Sequence, residues 1–246
     1  MIQVQNLSYC YPGGQRALED ISFFVDPGER VGLVGPSGAG KSTLLMHLNG
    51  LLPEKHSQLN GEAPIHIGEL SVSKPNLNEI RRRVGFLFQD PDDQLFCPTV
   101  RDDVAFGPLN AGVAIEEVQQ RIERCLRAVD LEGYEHRSTL QLSVGERKRV
   151  CLAGVLACEP DVLALDEPSS NLDPRARRQL LDNLSGFAGT QIVATHDLDL
   201  VVEHCQRVLV IDQGRLQADG PVREVLTDEV LLQRHGLEVP LRLKLM

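Results

Sequence analysis

One octet constrains this chain more than anything else in it. Gly35-Pro36-Ser37-Gly38-Ala39-Gly40-Lys41-Ser42 follows the short apolar run Arg30–Val34. It precedes Leu44, Leu45 and Leu48, which fall on one stripe of a helix. A strand, a glycine-rich turn and a helix opening on Lys-Ser match the phosphate-loop pattern G-x-x-x-x-G-K-[ST] in full. The residue types follow from the chemistry. Glycines let backbone N–H groups turn inward around phosphate oxygens, where side chains would block them. The helix that follows points the positive end of its dipole at the same anion. Lys41 can place its ammonium between β- and γ-phosphates, and the Ser42 hydroxyl can ligate Mg²⁺. Val162-Leu163-Ala164-Leu165-Asp166-Glu167 is the complementary element. Its apolar residues make a buried strand, and two carboxylates emerge at the C-terminal end, where ligands bind in open α/β sheets. Asp166 is placed to hold Mg²⁺, and Glu167 to orient or deprotonate an attacking water.

The rest of the chain supports an α/β reading. Gln3–Tyr9 and Ala17–Val25 read as strands between turn signals at Pro12-Gly13-Gly14 and Asp26-Pro27-Gly28. Val84–Phe88, Val162–Leu165, Gln191–Ala194 and Val208–Ile211 read as further strands, and Asp212-Gln213-Gly214 as a hairpin turn into Arg215–Ala218. Helices are expected near Pro174 and Leu198. From about Pro98 to Cys158 the pattern turns helical, with Ile115, Val118, Ile122, Leu126 and Val129 on one stripe. Ser143 and Glu146 have capping-box spacing for a helix running to Cys158. Strand and helix thus alternate at both ends around a helical insertion, which implies a parallel sheet interrupted by a helical subdomain.

Composition excludes other classes. The 246 residues suffice for one large domain or two small ones. The best apolar run, Val150–Cys158, is about half the ~20 residues of a membrane span. The start Met1-Ile2-Gln3-Val4 lacks the basic and apolar regions of a secretory signal. A net charge of -10 argues against a nucleic-acid partner, which needs clustered Lys and Arg. The six cysteines have no C-x-x-C pair and are expected to be buried, reduced thiols. His47 and His56 each lack a second ligand at helical spacing and are expected at the solvated surface.

Leu142-Ser143-Val144-Gly145-Glu146 lies upstream of the Asp166-Glu167 strand and resembles the signature of ABC transporter ATP-binding subunits, usually Leu-Ser-Gly-Gly-Gln. Val144 and Glu146 depart from it. Other motifs of that family follow in order: Gln89 matches the Q-loop glutamine, Ser170-Asn171-Leu172-Asp173 the D-loop and His196 the switch histidine. Tyr11 matches the aromatic that stacks on adenine, with Tyr9 as the fallback. The resemblance runs from Ile2 to Val225. It implies a P-loop NTPase (RecA-like) core with an N-terminal antiparallel β subdomain and an inserted helical subdomain. The corresponding division is 1–89 and 159–220 for the core with its β subdomain, 90–158 for the helical signature part and 221–246 for a short tail. It further implies ATP and Mg²⁺ as ligands. Gly35 to Thr43 and Tyr11 would hold the nucleotide, with Glu167, His196, Lys41 and Gln89 catalytic and Ser42, Gln89 and Asp166 on the metal. The partner's nucleotide would meet Leu142, Ser143, Val144, Gly145, Glu146 and Asp173 across a dimer of identical or different chains.

Gly85–Phe96 and Val104-Ala105-Phe106-Gly107-Pro108 resemble the ATPases of energy-coupling-factor importers. Leu48-Asn49-Gly50-Leu51-Leu52 fits that group too, especially its cobalt and nickel branch, as does the short stretch after Val225. The implied place is the cytoplasmic face of the cell membrane, bound to integral membrane coupling and substrate-binding subunits. The alternatives are a vitamin-type importer of the same group and an ABC ATPase outside transport, such as one in iron–sulfur assembly. A DNA-repair relative would need a long coiled coil between the phosphate loop and the signature, and Thr43–Gln141 has no sustained heptads.

Overall fold

The computed structural model describes residues 1–53 and 63–244, and within them the apolar runs form two sheets. β1 (Ile2–Cys10), β2 (Arg16–Val25), β4 (Ile65–Ile67) and β5 (Leu70–Ser71) make a four-stranded antiparallel sheet in the order β2-β1-β4-β5. Ile2, Val4, Ile21, Phe23 and Val25 turn to its buried face, as a period of two requires. β3 (Arg30–Val34), β6 (Val84–Leu87), β7 (Val162–Asp166), β8 (Thr190–Ala194), β9 (Arg207–Asp212) and β10 (Arg215–Pro221) make a second sheet in the order β10-β9-β3-β8-β7-β6. Every pairing in it is parallel except β10 with β9. Strands covered on both faces carry unbroken apolar runs, and β6, β7 and β8 are buried along their whole length.

Two cores follow from that alternation. Ala164 and Ile192 face a core shared with the antiparallel sheet and with Leu44, Leu45 and Leu48 of α1 (Lys41–Leu48). Leu163, Leu165 and Val193 face the other way. There they meet α3 (Val100–Asn110), α4 (Ile115–Ala128), α5 (Val144–Ala157) and α6 (Pro174–Ser185) through Val104, Ile122, Leu152 and Leu180. Before these lies α2 (Leu77–Arg83). α7 (Leu198–His204), α8 (Val222–Val225) and α9 (Glu229–Arg234) join a third cluster on β9 with Val208, Val210, Val222 and Leu232, and α10 (Leu241–Lys244) ends the described chain.

The ends of α5 and α6 are written locally. The Ser143 N–H donates to Glu146 Oε2 at 2.8 Å and the Glu146 N–H to Ser143 Oγ at 3.3 Å, a reciprocal capping box. Asp173 accepts from the N–H groups of Arg175 and Ala176 at 2.8 and 2.9 Å, with Pro174 opening the helix.

Some expectations need correction. β4, β5 and α2 were not foreseen. Strands of two and three residues are too short to display alternation, and β4 exists through its register with β1, Ile2 opposite Ile67 and Val4 opposite Ile65. His47 is not on the surface. It is buried, with Nδ1 2.7 Å from the Thr43 carbonyl oxygen and its ring edge-on to Tyr9 at 4.6 Å between centroids. Most of α1 is covered, so the helix has no wholly solvated face. His56 lies outside the described residues. Cys125 and Cys151 are buried thiols, and burial pushes Cys151 up to about 12. Cys10, on the solvent side of β1, is exposed, and Cys97, Cys158 and Cys205 are half-buried. Among the described residues no helix is long and apolar enough to cross a membrane.

Candidate nucleotide site

The functional side chains gather at one end of the parallel sheet because β3, β8 and β7 are neighbours that run the same way. β3 delivers the glycine-rich loop, β7 delivers Asp166 and Glu167, and β8 delivers Thr195 and His196.

The loop is bound by steric limits. Gly35 has φ 152°, and a Cβ there would lie 1.9 Å from the Ile211 carbonyl oxygen. Gly40 has φ 108°, and its Cβ would lie 2.6 Å from the Ala17 carbonyl oxygen. Neither position admits a side chain. Lys41, the first residue of α1, curls back so that Nζ donates to the carbonyl oxygens of Gly35 at 2.8 Å and Pro36 at 3.0 Å. Burial lowers its pKa, and the charges of Glu167 and Asp166 oppose that shift. Ser37 and Gly38 form the exposed crest of the loop. The Tyr11 hydroxyl lies 3.0 Å from Thr43 Oγ1, which sets this tyrosine beside α1, whereas Tyr9 packs against the core.

Asp166 is buried, and burial raises its carboxyl above the ordinary range while a hydrogen bond with Ser42 pulls it down. Its Oδ1 is a buried oxygen with no hydrogen-bond partner. An orphaned carboxylate oxygen beside a serine hydroxyl is a pair of hard oxygen donors, the type Mg²⁺ takes. The residues present therefore fit that cation. Gln89 is exposed on the loop after β6, at the same end of the sheet as Asp166.

Glu167 has the left-handed φ of 44°. Its N–H donates to the Ala194 carbonyl oxygen at 2.8 Å. The carboxylate is held from two sides: the Thr195 hydroxyl donates to Oε2 at 3.0 Å, and the His196 N–H donates to Oε1 at 3.0 Å. His196 Nδ1 lies 2.9 Å from Oε1, while the imidazole is 73% exposed against 11% for the Glu167 side chain. The carboxylate is thus fixed in orientation at the foot of a solvent-facing ring.

The signature residues lie elsewhere. Ser143, Val144, Gly145, Glu146 and Asp173 line an open cavity of about 570 Å³ to which no phosphate-loop residue contributes. Ser143 and Val144 are exposed, and Leu142 is buried behind them. The Ser143 hydroxyl donates to Glu146 Oε2 at 2.8 Å and the Tyr134 hydroxyl to Oε1 at 2.9 Å. These donors, led by the Ser143 N–H, hold the Glu146 carboxyl below its usual range. The structure therefore brings Tyr11, the loop, Asp166, Glu167 and His196 together and sets Leu142–Glu146 and Asp173 apart.

Three residues escaped the sequence reading: Thr195, Tyr134 and Lys148. The first two are anchors for carboxylates, recognisable only once Glu167 and Glu146 have been placed. Lys148 is 1% exposed, and its Nζ donates to the Glu167 carbonyl oxygen at 2.7 Å, the Pro168 carbonyl oxygen at 3.0 Å and Ser170 Oγ at 3.0 Å. Burial lowers its ammonium to about 8, and the charge of Glu167 opposes that shift. The available signal was a cation among buried apolar residues of α5.

Comparison with known proteins places this geometry in a family. The ABC transporter family model matches residues 18–170. The energy-coupling factor transporter ATP-binding protein EcfA of Methanothermobacter thermautotrophicus is 44% identical over 243 residues, 98% of this chain and 77% of that one. The solved CbiO1 of Clostridium perfringens, described as part of the ABC transporter complex CbiONQ, superposes with a TM-score of 0.80 at 34% identity, covering 95% of this chain and 93% of that one. An ATP-binding cassette solved as a dimer in a post-hydrolysis state with ADP and phosphate gives a TM-score of 0.78 at 27% identity, covering 90% and 99%. The chain belongs to the ABC transporter ATPases, as an ATP-hydrolysing subunit of the energy-coupling-factor type.

Proposed function

We propose that two such subunits close on ATP, each supplying half of each site, and that this closure drives a membrane importer of cobalt or nickel ions. The observation that carries the reading is the separation within one chain. The phosphate loop with Glu167 and His196 forms one cluster, and Ser143, Gly145 and Asp173 line a different surface. A signature that does not touch its own loop is useful to a nucleotide held by a second chain. The partner can be a copy of this chain or a different one.

In each half-site the loop Gly35 to Thr43 receives the phosphates through its free backbone N–H groups, which Pro36 lacks, Tyr11 stacks on the adenine and Lys41 neutralises the β- and γ-oxygens. Ser42, Asp166 and Gln89 would hold Mg²⁺, which when bound supplies charge neutralisation on those oxygens. Glu167 accepts the proton of the attacking water, and Thr195 and His196 keep its carboxylate aimed. His196 meets the γ-phosphate from the exposed side of that pair. Hydrolysis removes the phosphate that bridges the two chains, and the halves part. The division into 1–89 with 159–220, 90–158 and 221–246 then separates nucleotide core, signature-bearing helices and tail.

The membrane partner is read from a surface. Phe96 and Phe106 are 65% and 46% exposed and stand edge to face at 4.6 Å. They border a cavity of about 200 Å³ shared with Phe86, Leu95 and Gln94. An exposed aromatic pair beside a cleft fits a short helix of an integral membrane coupling subunit on the cytoplasmic side. The cargo rests on the sequence resemblance of Leu48–Leu52 to the cobalt and nickel branch, whereas Val104–Pro108 supports only the energy-coupling-factor type.

Two measurements test this. Ser143→Ala is expected to leave the ATP affinity of the isolated chain within about threefold of native, yet to weaken nucleotide-dependent pairing by about tenfold, the loss of a charge-assisted hydrogen bond. Calorimetry and sedimentation separate the two, and native pairing would refute the signature's role. For the cargo, a deletion strain restored with the native gene should take up radiolabelled cobalt or nickel, and one restored with Glu167→Gln should not. Equal metal uptake in both strains contradicts the metal reading, and Glu167-dependent vitamin uptake would assign the vitamin branch.

A further inference from the structure

Lys148 sits where a lysine is costly. It is fully enclosed on α5, five residues beyond Ser143, in a helix that otherwise buries Val150, Cys151 and Leu152. All three of its acceptors belong to one turn, from Glu167 to Ser170. The same turn is closed by the Ser170 N–H and hydroxyl, which donate to the Glu167 carbonyl oxygen at 3.1 and 2.9 Å. Glu167 itself occupies the left-handed region, which a glutamate leaves unless its surroundings hold it there. Its N–H and carboxylate are tied to β8 and the Thr195–His196 segment, and its carbonyl is tied to Lys148. An apolar residue of the same length would fill the space and provide none of these donors.

We infer that Lys148 is a positioning residue for ATP hydrolysis: its ammonium clamps the Glu167–Ser170 turn and thereby aims the Glu167 carboxylate at the attacking water. It touches neither nucleotide nor water and acts through the backbone of Glu167. It rests on the reading of Glu167 as the proton acceptor. Because Lys148 is carried by the signature helix, the aim of that carboxylate is set by the element that also presents Ser143.

The test is made on the full chain. Lys148→Met keeps the length of the stem and removes every donor. It is expected to lower kcat by about 10- to 100-fold, the cost of misplacing a reacting group by a fraction of an ångström to an ångström. The affinity for a non-hydrolysable ATP analogue should stay within about threefold, since no phosphate contact is lost. Lys148→Gln keeps two donors and should retain clearly more turnover than Lys148→Met, and Lys148→Leu, which also lacks every donor, takes the place of the methionine variant if that one does not fold. Turnover within about twofold of native in the methionine variant (or in Lys148→Leu, if only that one folds) overturns the inference. So does a loss of analogue affinity in step with turnover and equal in both variants, which marks a residue of the core alone. If Glu167→Gln hydrolyses ATP at the native rate, the reading of Glu167 fails. If Glu167→Gln is inactive and Lys148→Met is not impaired, only the inference on Lys148 fails.

Discussion

Glu167→Gln is expected to lower steady-state ATP turnover by at least about 100-fold while ATP still binds. Glutamine is the same length and finds the same neighbours. Its carbonyl oxygen can accept the His196 N–H that now reaches Oε1, and its amide can donate to Thr195 Oγ1 in place of the bond it loses. What disappears is the negative charge and the basicity of a carboxylate held at the foot of His196. A positioned base contributes about 10²- to 10⁴-fold, which sets the expected loss. A radiometric phosphate-release assay reads it. Turnover at the native rate would remove Glu167 from the reaction.

Lys41→Ala should act earlier, on binding. The ammonium is confined inside the loop by the Gly35 and Pro36 carbonyl oxygens, so it is placed before any nucleotide arrives. Its loss strips the loop of its cation and leaves Asp166 and Glu167 to repel the phosphates. Truncating one member of a buried charge pair costs about 2–5 kcal/mol. Part of that is recovered because the bound lysine need no longer exchange its carbonyl acceptors for phosphate oxygens. A fall in affinity of about 100-fold follows, equivalent to ~2.8 kcal/mol. Calorimetry with a non-hydrolysable analogue measures it, and an unchanged affinity would show that the glycine-lined N–H groups alone bind the nucleotide.

What the sequence made legible was local. The phosphate loop announces itself because its glycines, lysine and serine are contiguous and each is required by the same anion. Asp166 and Glu167 were readable because a run of four apolar residues fixes where a strand ends. The capping box of Ser143 and Glu146 was readable from its spacing, and α5 begins there. What was not legible depends on distant partners. β4 is defined by β1, more than fifty residues away in sequence, and β5 only by its pairing with β4. His47 was misplaced because the lack of a second ligand at helical spacing excludes a metal site and says nothing of burial, and α1 is covered by both sheets. Lys148 meets its acceptors 19 to 22 residues downstream, across a helix–strand packing that no spacing rule describes. The second role of Glu146, as acceptor for both Ser143 and Tyr134, arises only once the segment before α5 folds over it.

The proposed site is divided, with one chain to hold the triphosphate and a second to complete the enclosure. Sedimentation velocity of the Glu167→Gln chain, with and without saturating ATP and Mg²⁺, tests it most directly. A shift from a 27.2 kDa particle to one of twice that mass on adding nucleotide is the predicted result. Particles that remain at 27.2 kDa under saturation would contradict it.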